Sequence, residues 1–152
     1  ECHIDTDLEL LFPESYISSV TERMRLYREL DNNNTPEELE NFRIMLTDRF
    51  GPLPAQAEEL LKAVHLRQLA KQAGVEKIIL KNRTLIAYFA SNPDSPFYRS
   101  DAFVRIIGNI QRNPKHFRMR QEKDRLSLRV GNTDSIGKTI GILEKLNAGE
   151  VQ

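Results

Sequence analysis

The chain has a single cysteine in its 152 residues. Cys2 cannot close an internal disulfide, and no cysteines stand at metal-ligand spacing. Both absences suit a reducing compartment, so a cytoplasmic protein is expected. Long apolar runs are missing too: nothing approaches the roughly 18 residues that cross a bilayer, so no membrane partner is expected. The opening residues Glu1-Cys2-His3-Ile4-Asp5 carry neither a start methionine nor a basic stretch leading into an apolar one. No signal peptide is visible, and the segment is expected to be cut from something longer. An excess of one charge is also lacking, since 22 basic side chains balance 22 acidic ones. That balance averages two opposites. Residues 1–60 hold 14 acids and 5 bases and residues 61–152 hold 8 acids and 17 bases, charges of −9 and +9. Either an acidic and a basic face meet different partners, or the two halves neutralise each other within the fold.

Leu, Ile, Val and Phe are plentiful, and a chain of this length buries roughly 68–70% of its unfolded surface, so one domain spanning 1–152 is expected. Asp5 to Phe12 alternates Leu8, Leu10 and Phe12 with polar neighbours, the period of a half-buried strand, and Pro13 ends it. From Tyr16 to about Asp31, Ile17, Val20, Met24, Tyr27 and Leu30 recur at helical spacing. Asn32-Asn33-Asn34 breaks that helix. Thr35-Pro36-Glu37-Glu38 then supplies an N-cap, a proline at the first helical position and a carboxylate reaching back to the cap. Leu39, Phe42, Leu46 and Phe50 form the stripe of a second helix, which Gly51-Pro52 stops. Pro54 opens a third helix to about Ala73, with Leu60, Leu61, Val64 and Leu69 inward and Gly74 as terminator.

After Gly74 the period changes to two. Val75–Leu80 and Leu85–Ala90 read as a hairpin around Lys81-Asn82-Arg83-Thr84, followed by a helix over 101–111 with Phe103, Ile106, Ile107 and Ile110. His116–Arg120 and Arg125–Val130 repeat the pattern around Gln121-Glu122-Lys123-Asp124, followed by a helix with Ile136, Ile140, Leu143 and Leu146. The expected fold class is α+β: a mostly antiparallel four-stranded sheet made of two hairpin-plus-helix units (about 75–148), with the N-terminal helices (about 14–74) packed beside it.

Gly131-Asn132-Thr133-Asp134-Ser135-Ile136-Gly137-Lys138-Thr139 resembles a phosphate-binding loop. That motif needs four residues between its glycines, and here there are five, so Thr133 or Asp134 as a helix N-cap explains the segment. His3, His65 and His116 lack a second ligand at i+4, and a closed zinc site needs three or four, so no metal is expected. No serine nucleophile elbow is visible and no pair of carboxylates is singled out, so the segment is expected to be non-catalytic. A deep pocket with a strongly perturbed acid or histidine would revive an enzyme reading.

The basic stretch 112–129 carries more weight. Arg112, Lys115, Arg118, Arg120, Lys123, Arg125 and Arg129 face only Glu122 and Asp124, and alternation places Arg118, Arg120, Arg125 and Arg129 on one solvated sheet face. Such a face can hold phosphates, which makes a nucleic-acid-binding module the alternative reading, although no exposed aromatic platform for bases is apparent. Helix two has the opposite sign. Glu37 and Glu38 complement the helix dipole, whereas Asp48 lies in the last turn, where that dipole disfavours a carboxylate and an outside partner is called for.

Tyr16-Ile17, Arg23-Met24-Arg25-Leu26-Tyr27-Arg28, Thr35-Pro36-Glu37-Glu38-Leu39 and above all Asp48-Arg49-Phe50-Gly51-Pro52-Leu53-Pro54 resemble the C-terminal domain of bacterial transcription-repair coupling factors (Mfd). Order and spacing match from about residue 5 to 75; beyond that the likeness is mainly in element order. The resemblance implies a parent that is an ATP-driven DNA translocase, displacing stalled RNA polymerase and recruiting the excision-repair protein UvrA. ATP and magnesium would belong to motor domains outside this segment, which itself is expected to need no cofactor. It further implies a regulatory domain that docks on a UvrB-like N-terminal module of the same chain and covers its UvrA-binding surface. The implied contact residues centre on Asp48 with Arg49 beside it, and Glu40 or Glu38, further back on the helix, could restore a charge that Asn41 cannot. Met45 stands at a position that can be acidic in relatives, so half of the implied charge pair is missing.

Overall fold

The computed structural model describes residues 2–123 and 125–149. The chain divides into two compact units: Glu9–Gln68, and Glu1–Leu8 with Leu69–Gln152. The division falls inside the third helix.

The helical unit contains α1 (Val20–Asp31), α2 (Pro36–Phe50) and most of α3 (Ala55–Gln72). Thr35 caps α2 as expected, its hydroxyl accepting from the Glu38 N–H at 3.1 Å. The Glu38 carboxylate reaches back past the cap to accept from the N–H of Asn34, one residue before it. Gly51 ends the helix at φ 89°, a left-handed conformation that favours glycine. Leu26, Leu30, Phe42, Leu46, Ala57, Leu61 and Val64 form the core, joined by Phe12 and Ile17.

The first helix begins later than its apolar spacing suggests. Ser19 caps it, and Tyr16-Ile17 form a turn bonded to the Pro13 carbonyl. Val20 and Met24, expected inward, are 61% and 49% exposed, because Leu26 and Leu30 set the buried face. The expected strand over 5–12 is also corrected. Only His3–Thr6 pairs, as β1, while Phe12 enters the helical core with its ring stacked 4.9 Å from that of Tyr27. Its N–H donates to the Tyr27 hydroxyl at 2.9 Å, which removes the far end of the segment from any ladder.

The second unit is built on a sheet of five strands, not four, in the order β1-β2-β3-β5-β4. β1 lies parallel to β2 (Val75–Lys81), and β3 (Thr84–Phe89), β5 (Arg125–Val130) and β4 (Arg118–Glu122) continue antiparallel. The α+β expectation holds, with the extra parallel edge strand supplied from the far end of the chain. Asn82 and Arg83 turn the first hairpin, both at positive φ. Gly74 has φ +67°, and a Cβ there would come within 2.5 Å of the Phe97 ring, so position 74 requires glycine for conformation and space alike. Ser100 caps α4 (Asp101–Gln111). Ile78, Leu80, Leu85, Ala87, Leu128 and Val130 point to one sheet face and are buried, as are Ile106 and Ile110 of α4 and Ile136, Leu143 and Leu146 of α5 (Ile136–Asn147).

Two local expectations shift. His116 and Phe117 belong to a turn whose N–H groups donate to the Asn113 carbonyl, so β4 starts two residues later. The N-cap of α5 is Ser135, whose hydroxyl accepts from Lys138 N–H at 3.0 Å, rather than Thr133 or Asp134. Thr133 is buried, with its hydroxyl donating toward the carbonyls of Val130 and Gly131, and is not available to cap.

Candidate functional site

The Asp48-Arg49-Phe50-Gly51 corner is held from several sides. The Tyr16 hydroxyl donates to the Gly51 carbonyl at 2.7 Å, and its ring lies 5.8 Å from that of Phe50. Burial first, and then the Glu58 charge, push the Tyr16 phenol above its ordinary pKa. Arg49 stacks over Phe50 at 4.8 Å and reaches Glu22 on α1 at 2.6 Å. Glu22 also takes Arg25 at 2.6 Å, and hydrogen bonds from Arg25 and then Arg49 hold its carboxyl below the usual range. Three residues of the run therefore serve the fold. Asp48 is exposed, and no ion pair or side-chain hydrogen bond joins it to any described residue.

The other implied contact residues separate. Arg49 is committed to Glu22. Met45 is half-buried against the helical core. Glu38 and Met45 line one small cavity of about 350 Å³, together with Glu29 and three asparagines, and Asp48 is not among its lining. The outward stripe of α2 at 37, 40/41, 44 and 48 has helical i, i+3/i+4 spacing. It carries Glu37, Glu40 and Asp48 around Ile44, which is 51% exposed. Reading the sequence missed Ile44 because it belongs to no inward stripe. The signal for it was an isoleucine among acids on the opposite face.

In the second unit, register brings the arginines together. Arg118 stands directly opposite Arg129, Arg120 opposite Ser127 and Glu122 opposite Arg125. Their neighbours on the same face are Ile86 and Tyr88 of β3, paired with Arg129 and Ser127. Tyr88, half-buried beneath the Arg125 guanidinium at 4.8 Å, is an aromatic group on the basic face that periodicity alone did not reveal. Arg120 pairs with Glu122 at 3.1 Å, whereas Arg118 and Arg129 make no ion pair with a described residue. Asp124, expected to offset this charge, lies outside the described residues.

No group of three or more His, Cys, Asp or Glu able to hold a metal occurs among the described residues. No described helix is long and apolar enough to cross a membrane. The segment resembling a phosphate loop is a strand–turn–helix whose Lys138 pairs with Asp134 at 2.8 Å.

A family model described as "TRCF domain" matches residues 6–100. The chain belongs to the TRCF domain family. The match includes the whole Asp48 corner and the first hairpin, and ends before the Arg-rich hairpin. The transcription-repair-coupling factor of Escherichia coli (strain K12) is 33% identical over 119 residues, covering 75% of this chain and 10% of that protein. The factor of Rickettsia bellii is 27% identical over 112 residues, 74% of this chain and 10% of that protein. This TRCF domain thus spans about a tenth of the length of those relatives. A crystal structure of the C-terminal domain of transcription-repair coupling factor superposes with a TM-score of 0.77, covering 95% of this chain and 91% of that one. At 17% identity it shows the shared fold.

Proposed function

We propose that this TRCF domain is a non-catalytic regulatory module that docks on the UvrB-like N-terminal module of its own parent chain and masks the UvrA-binding surface there. The parent is read as a cytoplasmic, ATP- and magnesium-dependent DNA translocase that displaces stalled RNA polymerase. The observation that carries the reading is the α2 stripe: Asp48, exposed and without a partner among the described residues, beside the exposed Ile44. An apolar anchor ringed by carboxylates suits a basic surface with an apolar centre. Met45 is held against the core, and the carboxylates available instead are Glu37 and Glu40 on the outward stripe, the latter also pairing with Arg43 at 3.7 Å. A reversible clamp needs only a polar contact of the size usual between domains.

Calorimetric titration of the domain with the separately made N-terminal module, at several salt concentrations, tests this. The expected result is saturable one-to-one binding that weakens with salt and is reduced by Asp48→Arg and Ile44→Ala. No binding, or binding indifferent to both substitutions, removes α2 from the contact.

The pairing of Arg118 with Arg129 and the presence of Tyr88 favour a second reading, a nucleic-acid-binding module using the hairpin region 112–129. Duplex and single-stranded DNA titrations with a steep salt slope, lost on Arg120→Ala with Arg125→Ala, would support it.

A further inference from the structure

Beside the sheet face lies a basin that shares Lys115, Arg118 and Arg129 with the second reading and is completed by the turn after β5 and by α5, which neither reading uses. It has a volume of about 910 Å³ and lies among the start of β4, the end of β5, the turn after it and one side of α5. That size is at the upper end of small-molecule sites. Five basic side chains line it, Lys115, Arg118, Arg129, Lys138 and Lys145, and Glu144 is the one carboxylate among the described lining residues. Lys138 has Asp134 as a partner; the other four cations make no ion pair with a described residue. Like charges directly opposite on neighbouring strands, as at Arg118 and Arg129, destabilise a ladder unless an anion lies between them.

Gly141 is an independent observation. It occupies the interior of α5, where glycine is less stable than alanine. A Cβ there would meet no described residue within 4 Å, so packing among the described residues does not require the glycine. Gly141 lines the basin, and a helix without a side chain at that point lets a ligand come close to its backbone.

We infer that this basin binds a compact polyanion carrying two or more linked phosphates, such as pyrophosphate or the polyphosphate tail of a free nucleotide. Concave, multiply cationic lining favours concentrated charge over the spaced carboxylates of an extended acidic peptide. Arginine supplies forked donors and lysine point charges, a combination suited to phosphate oxygens. The inference is independent of the docking reading, and it is separable from the nucleic-acid reading because Arg120 and Arg125 do not line the basin.

The test is titration of the 152-residue chain with pyrophosphate and tripolyphosphate, followed by calorimetry and by backbone amide shifts. A poly-glutamate peptide and a short single-stranded oligonucleotide serve as competitors. The expected result is one-to-one binding with shifts clustered at 115–118, 129–133 and 138–145. Affinity should fall at least tenfold in Lys145→Ala and in Gly141→Leu, and stay unchanged in Arg120→Ala. Circular dichroism of each variant establishes that it is folded. Absence of saturable binding overturns the inference, as does binding that survives Lys145→Ala and Gly141→Leu. Binding of the peptide or the oligonucleotide in place of the small phosphates also overturns it.

Discussion

Asp48 and Tyr16 lie at the same corner and illustrate two kinds of residue. The Tyr16 hydroxyl satisfies the Gly51 carbonyl just past the end of α2. Tyr16→Phe is expected to lower stability by about 1 kcal/mol, the net worth of an ordinary intramolecular hydrogen bond, as read from a urea midpoint. Asp48 contributes no such bond, so Asp48→Arg should leave the midpoint nearly unchanged while weakening docking roughly tenfold, about 1.4 kcal/mol. Loss of both together would mean that Asp48 holds the fold and not a partner. Leu46, fully buried, is the contrasting case. Leu46→Ala should cost about 2–5 kcal/mol through lost burial and a residual cavity. The inward position of Leu46 and Phe42 was legible from spacing. The exposure of Val20 and Met24 was not, because a helical repeat reports which residues share a face but not which of two competing apolar faces is covered.

Among the elements, the turns and caps carry the clearest expectations. Arg83 sits at φ 60° in a two-residue hairpin turn, where a side chain is unfavourable, and its pairing with Asp134 at 3.9 Å is weak. Arg83→Gly makes the Asn-Gly pair that such turns prefer and should raise stability by about 0.5–1 kcal/mol, measured by thermal unfolding. Ser135→Ala should lower it by about 1 kcal/mol, since the hydroxyl that accepts from Lys138 N–H is lost. Helix α2 was readable to the residue because cap, proline, stripe and stop glycine all agree. The cap of α5 was misplaced by one or two residues because Thr133, Asp134 and Ser135 are all good caps. Only burial of Thr133 and the ion pair of Asp134 leave the role to Ser135.

For the molecule as a whole, pH acts on each of the two units through a surface carboxylate of its own. Glu22 in the helical unit and Asp134 in the other are both held below their ordinary values. Hydrogen bonds from Arg25 and Arg49 act on the first, and a hydrogen bond from Lys138, then its charge and then that of Arg83, on the second. A carboxyl lowered in the folded state stabilises above its unfolded value and loses that contribution as pH falls through the folded one. Urea midpoints should therefore hold near neutrality and decline on acidification from about pH 4.5 downward, less steeply in Glu22→Gln and Asp134→Asn. By itself the sequence determined the class of fold, both hairpin-plus-helix repeats, helix α2 and the family motif, because period, caps and turn residues act over a few neighbouring positions. Tertiary structure alone decided that residues 3–6 form a fifth strand beside 77–80 and that Arg118 faces Arg129. It also decided that a cationic basin opens beside Gly141. Each of these depends on pairing between segments distant in the chain, and local propensity carries no record of which distant partner a strand or side chain will meet.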